Sequence, residues 1–229
     1  MKTIILAAGI GSRLENPYPK TLTMLTTGCS ILQTQVKNLS RYITINDIIV
    51  VVGFKKELIM EAFPDLMYAY NDYFDTTNTS KSLSKGLQKV KNEDVLWLNG
   101  DVVFDHRIIE RLLKSKFSCM AVNVGEALDE EIKYSVYDDG SIKEVSKNVK
   151  SPLGEALGVN LIRKSDLELL KECLNECNDN DYFERGIELA IMRGFKIYPV
   201  DVSDLMCVEV DFMEDLKRAN SLLENKTKQ

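Results

Sequence analysis

Apolar positions along this 229-residue chain fall into two rhythms. One is the short unbroken run. Thr3–Leu6, Asp47–Gly53, Leu66–Tyr70 and Asp94–Leu98 are runs of this kind, β-branched or aromatic and bounded by glycine or polar residues. Runs of that length and composition predict buried strands. The other is helical spacing. Ser30–Tyr42 places Ile31, Leu32, Val36 and Leu39 on one face, with Ser30 as N-cap. Lys55–Phe63 reads as a helix stopped by Pro64, Ser82–Val90 carries Leu83, Leu87 and Val90 on one face, and His106–Leu113 is a further helix. Strand and helix thus alternate up to about residue 115, which predicts a mostly parallel sheet with helices on both faces. Ligands on such sheets bind beyond the carboxyl ends of the strands. The Ala8–Arg13 loop, Gly53, the Asn71–Ser80 loop and Asp101 fall at those ends and are expected to converge on one cleft.

From Ser118 the rhythm changes. Cys119–Val124, Tyr134–Tyr137, Ile142–Val145 and Leu157–Ile162 are short strand candidates, and Asp139-Gly140 predicts a hairpin between the second and third. Ser165–Cys177 and Asp181–Arg193 read as helices, Phe195–Val200 and Met206–Val210 as the last strands, and Phe212–Leu223 as a final helix followed by a frayed tail. With no linker or internal repeat, the expectation is one domain, 1–229. Residues 1–115 would form one half, and 116–229 a second half with a small antiparallel extension and a lid.

Composition narrows the function classes. The chain is 45% apolar and 28% charged, an ordinary globular balance. A net charge of −6 argues against a nucleic-acid binder, but a nucleotide needs only a few placed cations. No run reaches a membrane span. The five cysteines (Cys29, Cys119, Cys173, Cys177, Cys207) form no CxxC pair, and with one histidine a zinc site lacks ligands. Reduced, structural cysteines suit a cytoplasmic protein.

The candidate chemistry begins in the first 25 residues. The run Thr3–Leu6 opens into Ala7-Ala8-Gly9-Ile10-Gly11-Ser12-Arg13, and Pro19-Lys20 follows. Small residues leave the backbone bare for a close anion, and Arg13 and Lys20 add fixed positive charge. The loop is neither a GxxxxGK[ST] phosphate loop nor a full dinucleotide fingerprint, since Leu14 stands at the third glycine position. Asp101 follows a buried strand and faces that loop, where a carboxylate needs a counter-charge. A nucleotide-bound Mg²⁺ supplies one. Glu209-Val210-Asp211 offers a second carboxylate, with Glu209 and Asp211 on one side of a strand. In the competing arrangement Asp211 caps the last helix, with Glu214 at its third position. Lys147, Glu155, Tyr182 and Glu184 are unremarkable taken singly, and His106 reads as structural.

Taken together these residues resemble the nucleotidyltransferase (NTP transferase) family. Several blocks are similar to its bacterial phosphocholine cytidylyltransferase-like branch. They are LAAGIGSRL with PK, VVVGFK (50–55), NDYFDTTNTSKSL (71–83), LNGDVVFD (98–105), SK (146–147), GEALGV (154–159), YFE (182–184) and EVDFMEDLKRA (209–219). The resemblance implies a Rossmann-like fold of the nucleotide-diphospho-sugar transferase type. It implies that Ala8, Gly9, Gly11 and Ser12, with Arg13 and Lys20, hold the triphosphate, and that Asn78 and Ser82 lie near base and ribose. By the same resemblance Asp101 and Asp211 hold Mg²⁺, Lys147 reaches the acceptor phosphate, and Glu155, Tyr182 and Glu184 face its headgroup. The implied reaction is Mg²⁺-dependent cytidylyl transfer from CTP to phosphocholine or a related amino-alcohol phosphate or phosphonate. Its place would be in cell-surface glycan or lipid biosynthesis, carried out by a cytoplasmic monomer or homodimer. The six residues between Arg13 and Lys20 are fewer than in many sugar-1-phosphate members, which remain the alternative. A non-catalytic nucleotide-binding protein is the third reading.

Overall fold

The computed structural model describes residues 1–14 and 17–227. Eleven strands and seven α-helices follow one another in it. The first half contributes β1 (Lys2–Ala7), α1 (Ile31–Leu39), β2 (Ile48–Val52), α2 (Lys56–Ala62), β3 (Met67–Tyr70), α3 (Thr79–Leu87), β4 (Val95–Asn99), β5 (Val102–Phe104) and α4 (Arg107–Lys114). The second half contributes β6 (Cys119–Val124), β7 (Lys133–Val136), β8 (Ile142–Ser146), β9 (Gly154–Ile162), α5 (Leu167–Glu176), α6 (Phe183–Met192), β10 (Tyr198–Asp201), β11 (Cys207–Glu209) and α7 (Met213–Thr227).

The main sheet runs β10-β6-β9-β4-β1-β2-β3. Strands of the first half occupy one side of it and strands of the second half the other. Along this path only β9 opposes the common direction, pairing antiparallel with both β4 and β6. The β7–β8 hairpin extends from the start of β9, with Gly140 at φ +80 in its turn. The first strands are unbroken apolar runs because both faces of the sheet are covered. On one face Ile4, Leu6, Ile49, Val51 and Trp97 pack against α3, α5 and α6, and on the other Ile5, Val50, Val52, Leu96 and Leu98 pack against α1, α2 and α4.

Several boundaries differ from the sequence reading. Asn78 caps α3 through its side chain, so that helix begins three residues before Ser82. The final helix continues to Thr227, past the predicted end at Leu223. The short strand β5 goes unseen in the sequence. It pairs antiparallel with β11, matching Val102 to Glu209, and the two lean on α7 through Val103, Val208, Val210 and Ala219. This two-stranded sheet is off the main one, and it brings the chain's last carboxylates back to the end of β4. Ser30 caps α1 as expected, accepting from the Gln33 N–H at 3.1 Å. The five cysteines are free, and among the described residues no helix is long and apolar enough to cross a membrane.

Candidate active site

A cleft of about 600 Å³ opens beyond the carboxyl ends of β1 and β4. Leu6, Ala7, Gly9 and Gly11 form its floor at the end of β1. Gly11 has φ +64, and a Cβ there would come within 2.7 Å of Lys20 Cβ. Only glycine permits this turn, and through it Lys20 sits against the loop. A turn of 3₁₀ helix over Lys20–Leu22, entered from Pro19, fixes the Lys20 backbone.

Lys20 Nζ donates to Asp101 Oδ2 at 2.7 Å and to Asp211 Oδ1, while Arg13 donates to Asp211 Oδ2 at 3.2 Å. Burial alone would lower the Lys20 pKa, but the two carboxylates outweigh it and the pKa is raised. Asp101 stands just beyond Gly100, where a side chain would strike the Leu6 carbonyl at 2.6 Å. Asp211 arrives through the β5–β11 pairing, which the Val210 N–H extends by donating to the Asp101 carbonyl at 3.0 Å. Its side chain is free for this role because the last helix is capped otherwise. Asp215, and not Glu214, accepts from the Asp211 and Phe212 N–H groups at 3.1 and 2.7 Å, and Asp211 does not cap.

Glu209 joins the pair. One carboxylate oxygen each from Asp101, Glu209 and Asp211 lies within 4.8 Å of the others. The surrounding cleft walls, and then the charges of Asp101 and Asp211, push Glu209 up to about 8 although its side chain stays exposed. Alternation along the strand sends Val208 and Val210 into the core and Glu209 into the cleft, as the period-2 pattern predicts.

The opposite end of the cleft is also acidic but differently arranged. Glu155, on β9, accepts from Asn123 Nδ2 at 2.7 Å. Burial and a hydrogen bond shared with Glu131 raise its pKa to about 7. Glu131 also accepts from the Leu128 N–H at 2.8 Å, tying its loop to the cleft. Glu184, in the first turn of α6, is 7% exposed, its Oε2 has no hydrogen-bond partner, and burial raises it to about 7. Lys147 lies at the end of β8 with Nζ 5.7 Å from the Tyr182 ring centre.

The cleft therefore gathers Arg13, Lys20, Lys147, Gly9, Gly11, Asp101, Asp211, Glu155, Tyr182 and Glu184. It does not gather all the predicted residues. Asn78 is spent on capping α3 and on the Asn180 carbonyl at 3.3 Å. Ser82 is buried under Asn71, whose Nδ2 donates to it at 3.1 Å. Neither lines the cleft; Thr79 does. Ala8 packs into the core, and the side chain of Ser12 lies outside the described residues. Gly53 is a packing glycine, since a Cβ would meet the Ala8 carbonyl at 2.5 Å. Glu131 and Asn123 went unpredicted because no motif surrounds them, and Arg218 stands inside the 209–219 block without a role read for it. The acidic stretch Asp129–Glu131 was the available signal, and it reads as solvated surface until folded.

Residues 3–181 match the MobA-like NTP transferase domain. The chain belongs to that family. The CMP-5'-(3-aminopropyl)phosphonate synthase of Streptomyces rubellomurinus is 26% identical over 96% of this chain, which spans 38% of that relative's length. The inositol-1-phosphate CTP transferase of T. maritima shares the fold at a TM-score of 0.79 and 17% identity, covering 96% of this chain and 94% of that one. The CTP:phosphocholine cytidylyltransferase LicC of Streptococcus pneumoniae does so at 0.78 and 18%, over 97% and 98%.

Proposed function

We propose that this NTP-transferase-family chain transfers a nucleotidyl group, with CTP as donor, to a phosphate or phosphonate oxygen of a small acceptor. The observation that carries the reading is the convergence of Lys20 and Arg13 on Asp101 and Asp211 in one cleft. A site of paired cations and carboxylates beside bare glycines suits a metal–polyphosphate ligand. The CTP preference draws support from the CMP-phosphonate relative, and an amino-alcohol phosphate such as phosphocholine is in the same range of acceptors. Free cysteines and a nucleotide donor suit the cytoplasm, and such activated products feed the assembly of surface lipids or glycans.

The carboxylates fit Mg²⁺. Three hard oxygen donors lie within 4.8 Å, and Asp101 Oδ1 is buried without a hydrogen-bond partner. Bound there with the nucleotide, Mg²⁺ would neutralise phosphate charge and polarise the α-phosphate. The chain's own residues supply the rest. Lys20 and Arg13 exchange carboxylate for phosphate oxygens, and the floor at Gly9 and Gly11 admits the triphosphate closely. Lys147 draws in the acceptor phosphate. An acceptor oxygen then forms its bond to the α-phosphorus as the bond to the pyrophosphate oxygen breaks. No protein nucleophile takes part; alignment and charge neutralisation lower the barrier. The test is pyrophosphate release from CTP, UTP, GTP and dTTP against a panel of small phosphates, phosphonates and sugar-1-phosphates. Release with CTP and a small acceptor is expected. Turnover only of sugar-1-phosphates would replace this reading with the sugar-nucleotide one.

A further inference from the structure

The segment that carries Arg13 and Lys20 is braced from the carboxyl end of β2, by three successive residues. A Cβ at Gly53 would meet the Ala8 carbonyl at 2.5 Å, so the two backbones touch. The Phe54 N–H donates to that same carbonyl at 3.1 Å. Lys55 Nζ donates to the Pro17 carbonyl at 2.6 Å, three residues before Lys20. The first two contacts hold the start of the segment, and the third holds its far end.

Lys55 makes its contact from an uncommon backbone. Its φ of +44 and ψ of +43 are left-handed. Among the described residues Asn92 is the other non-glycine with a positive φ, and asparagine tolerates that region better than lysine does. Lys55 is exposed, so core packing does not call for a long side chain there. Glycine would take the same turn without strain. The lysine is thus held at a conformational cost, and the hydrogen bond it gives goes to the Pro17 carbonyl. Strain of this kind persists where neighbouring structure over-determines it, often at functional sites.

The cations of this segment are tied to Asp101 and Asp211. On the transferase reading above, Lys20 and Arg13 give up those carboxylates for phosphate oxygens when nucleotide binds. The ties at Ala8 and Pro17 lie outside that exchange, so they keep the segment in register through it. Resting on that reading, we propose that Lys55 is a positioning residue for the nucleotide. Its ammonium fixes the Pro17 carbonyl and, through it, the approach of Lys20 to the triphosphate.

The experiment compares Lys55→Gly, Lys55→Met and Lys55→Arg with the parent chain. It reads melting temperature, hydrogen exchange over residues 17–22, and CTP affinity by calorimetry with Mg²⁺ present. The glycine variant loses both strain and tether, and should melt at or above the parent yet bind CTP about 10-fold more weakly. The methionine variant keeps the stem without the donor and should weaken CTP binding by a similar factor. Both should exchange faster over 17–22, and the arginine variant should stay within about twofold of the parent. Unchanged CTP affinity or unchanged exchange in the glycine and methionine variants would overturn the role of Lys55 while leaving the transferase reading in place. A lower melting temperature in Lys55→Gly alongside weaker binding would make the contact merely structural and overturn it too. A parent chain that binds none of CTP, UTP, GTP and dTTP would remove both.

Discussion

The two ends of the cleft carry the same residue chemistry in opposite states. At the nucleotide end the carboxylates of Asp101 and Asp211 are answered within the chain by Lys20 and Arg13. At the acceptor end Glu131, Glu155 and Glu184 are answered by no cation at contact distance among the described residues, and Glu155 and Glu184 hold their protons up to about 7. An internally paired site keeps its geometry while it waits for ligand. A site with missing partners depends on its ligand for part of its own stability. On the proposed function, the difference separates a pre-organised reaction centre from a specificity pocket.

The largest expected effect is at the paired end. Lys20→Ala removes the cation between Asp101 and Asp211 and should lower kcat about 10²–10³-fold with the circular dichroism spectrum retained. Near-normal turnover would break the contrast. Asp101→Asn should come next, lowering kcat about 10²-fold and flattening its dependence on Mg²⁺ concentration. A variant as metal-dependent as the parent would remove Asp101 from the metal set.

At the acceptor end the readout is stability against pH. The folded Glu184 keeps a proton up to about 7 that an unfolded glutamate releases near 4.5. Across that window the folded chain binds more protons, so stability falls as pH rises, by up to about 3 kcal/mol. Glu184→Gln should flatten this slope in denaturant titrations at pH 4.5 and 7.5; an unchanged slope would assign it to other groups. The smallest effect is expected at Asp215→Ala, which removes the hydrogen bonds this first-turn carboxylate makes back to the Asp211 and Phe212 N–H groups and should cost about 1 kcal/mol. Because those bonds leave the Asp211 side chain free for Lys20, a modest loss of kcat should accompany it.

Much of the molecule was legible from local pattern. Buried runs and helical spacing located β1 to β4, α1 and the hairpin at Asp139-Gly140, since each depends on neighbours within one element. Legibility was poorest where a side chain had two local uses. Asn78, expected near base and ribose, has its side chain spent on capping α3. Asp211 could have capped α7, but Asp215 does so and Asp211 turns to Lys20.

Local sequence alone is enough to locate the small-residue loop at Gly9–Arg13 with Lys20 after it, the position of Asp101 past a buried strand, and the layered α/β architecture. Local spacing, backbone freedom and charge are properties of short stretches, so they are readable without the fold. Only the tertiary structure decided that Glu209 and Asp211 stand beside Asp101. The three apolar residues of β5 are too short a run to read as a strand alone and become one by pairing with β11. The same holds for Glu131, Glu155 and Glu184, which come from three separate segments and acquire their shared character from burial in one cleft.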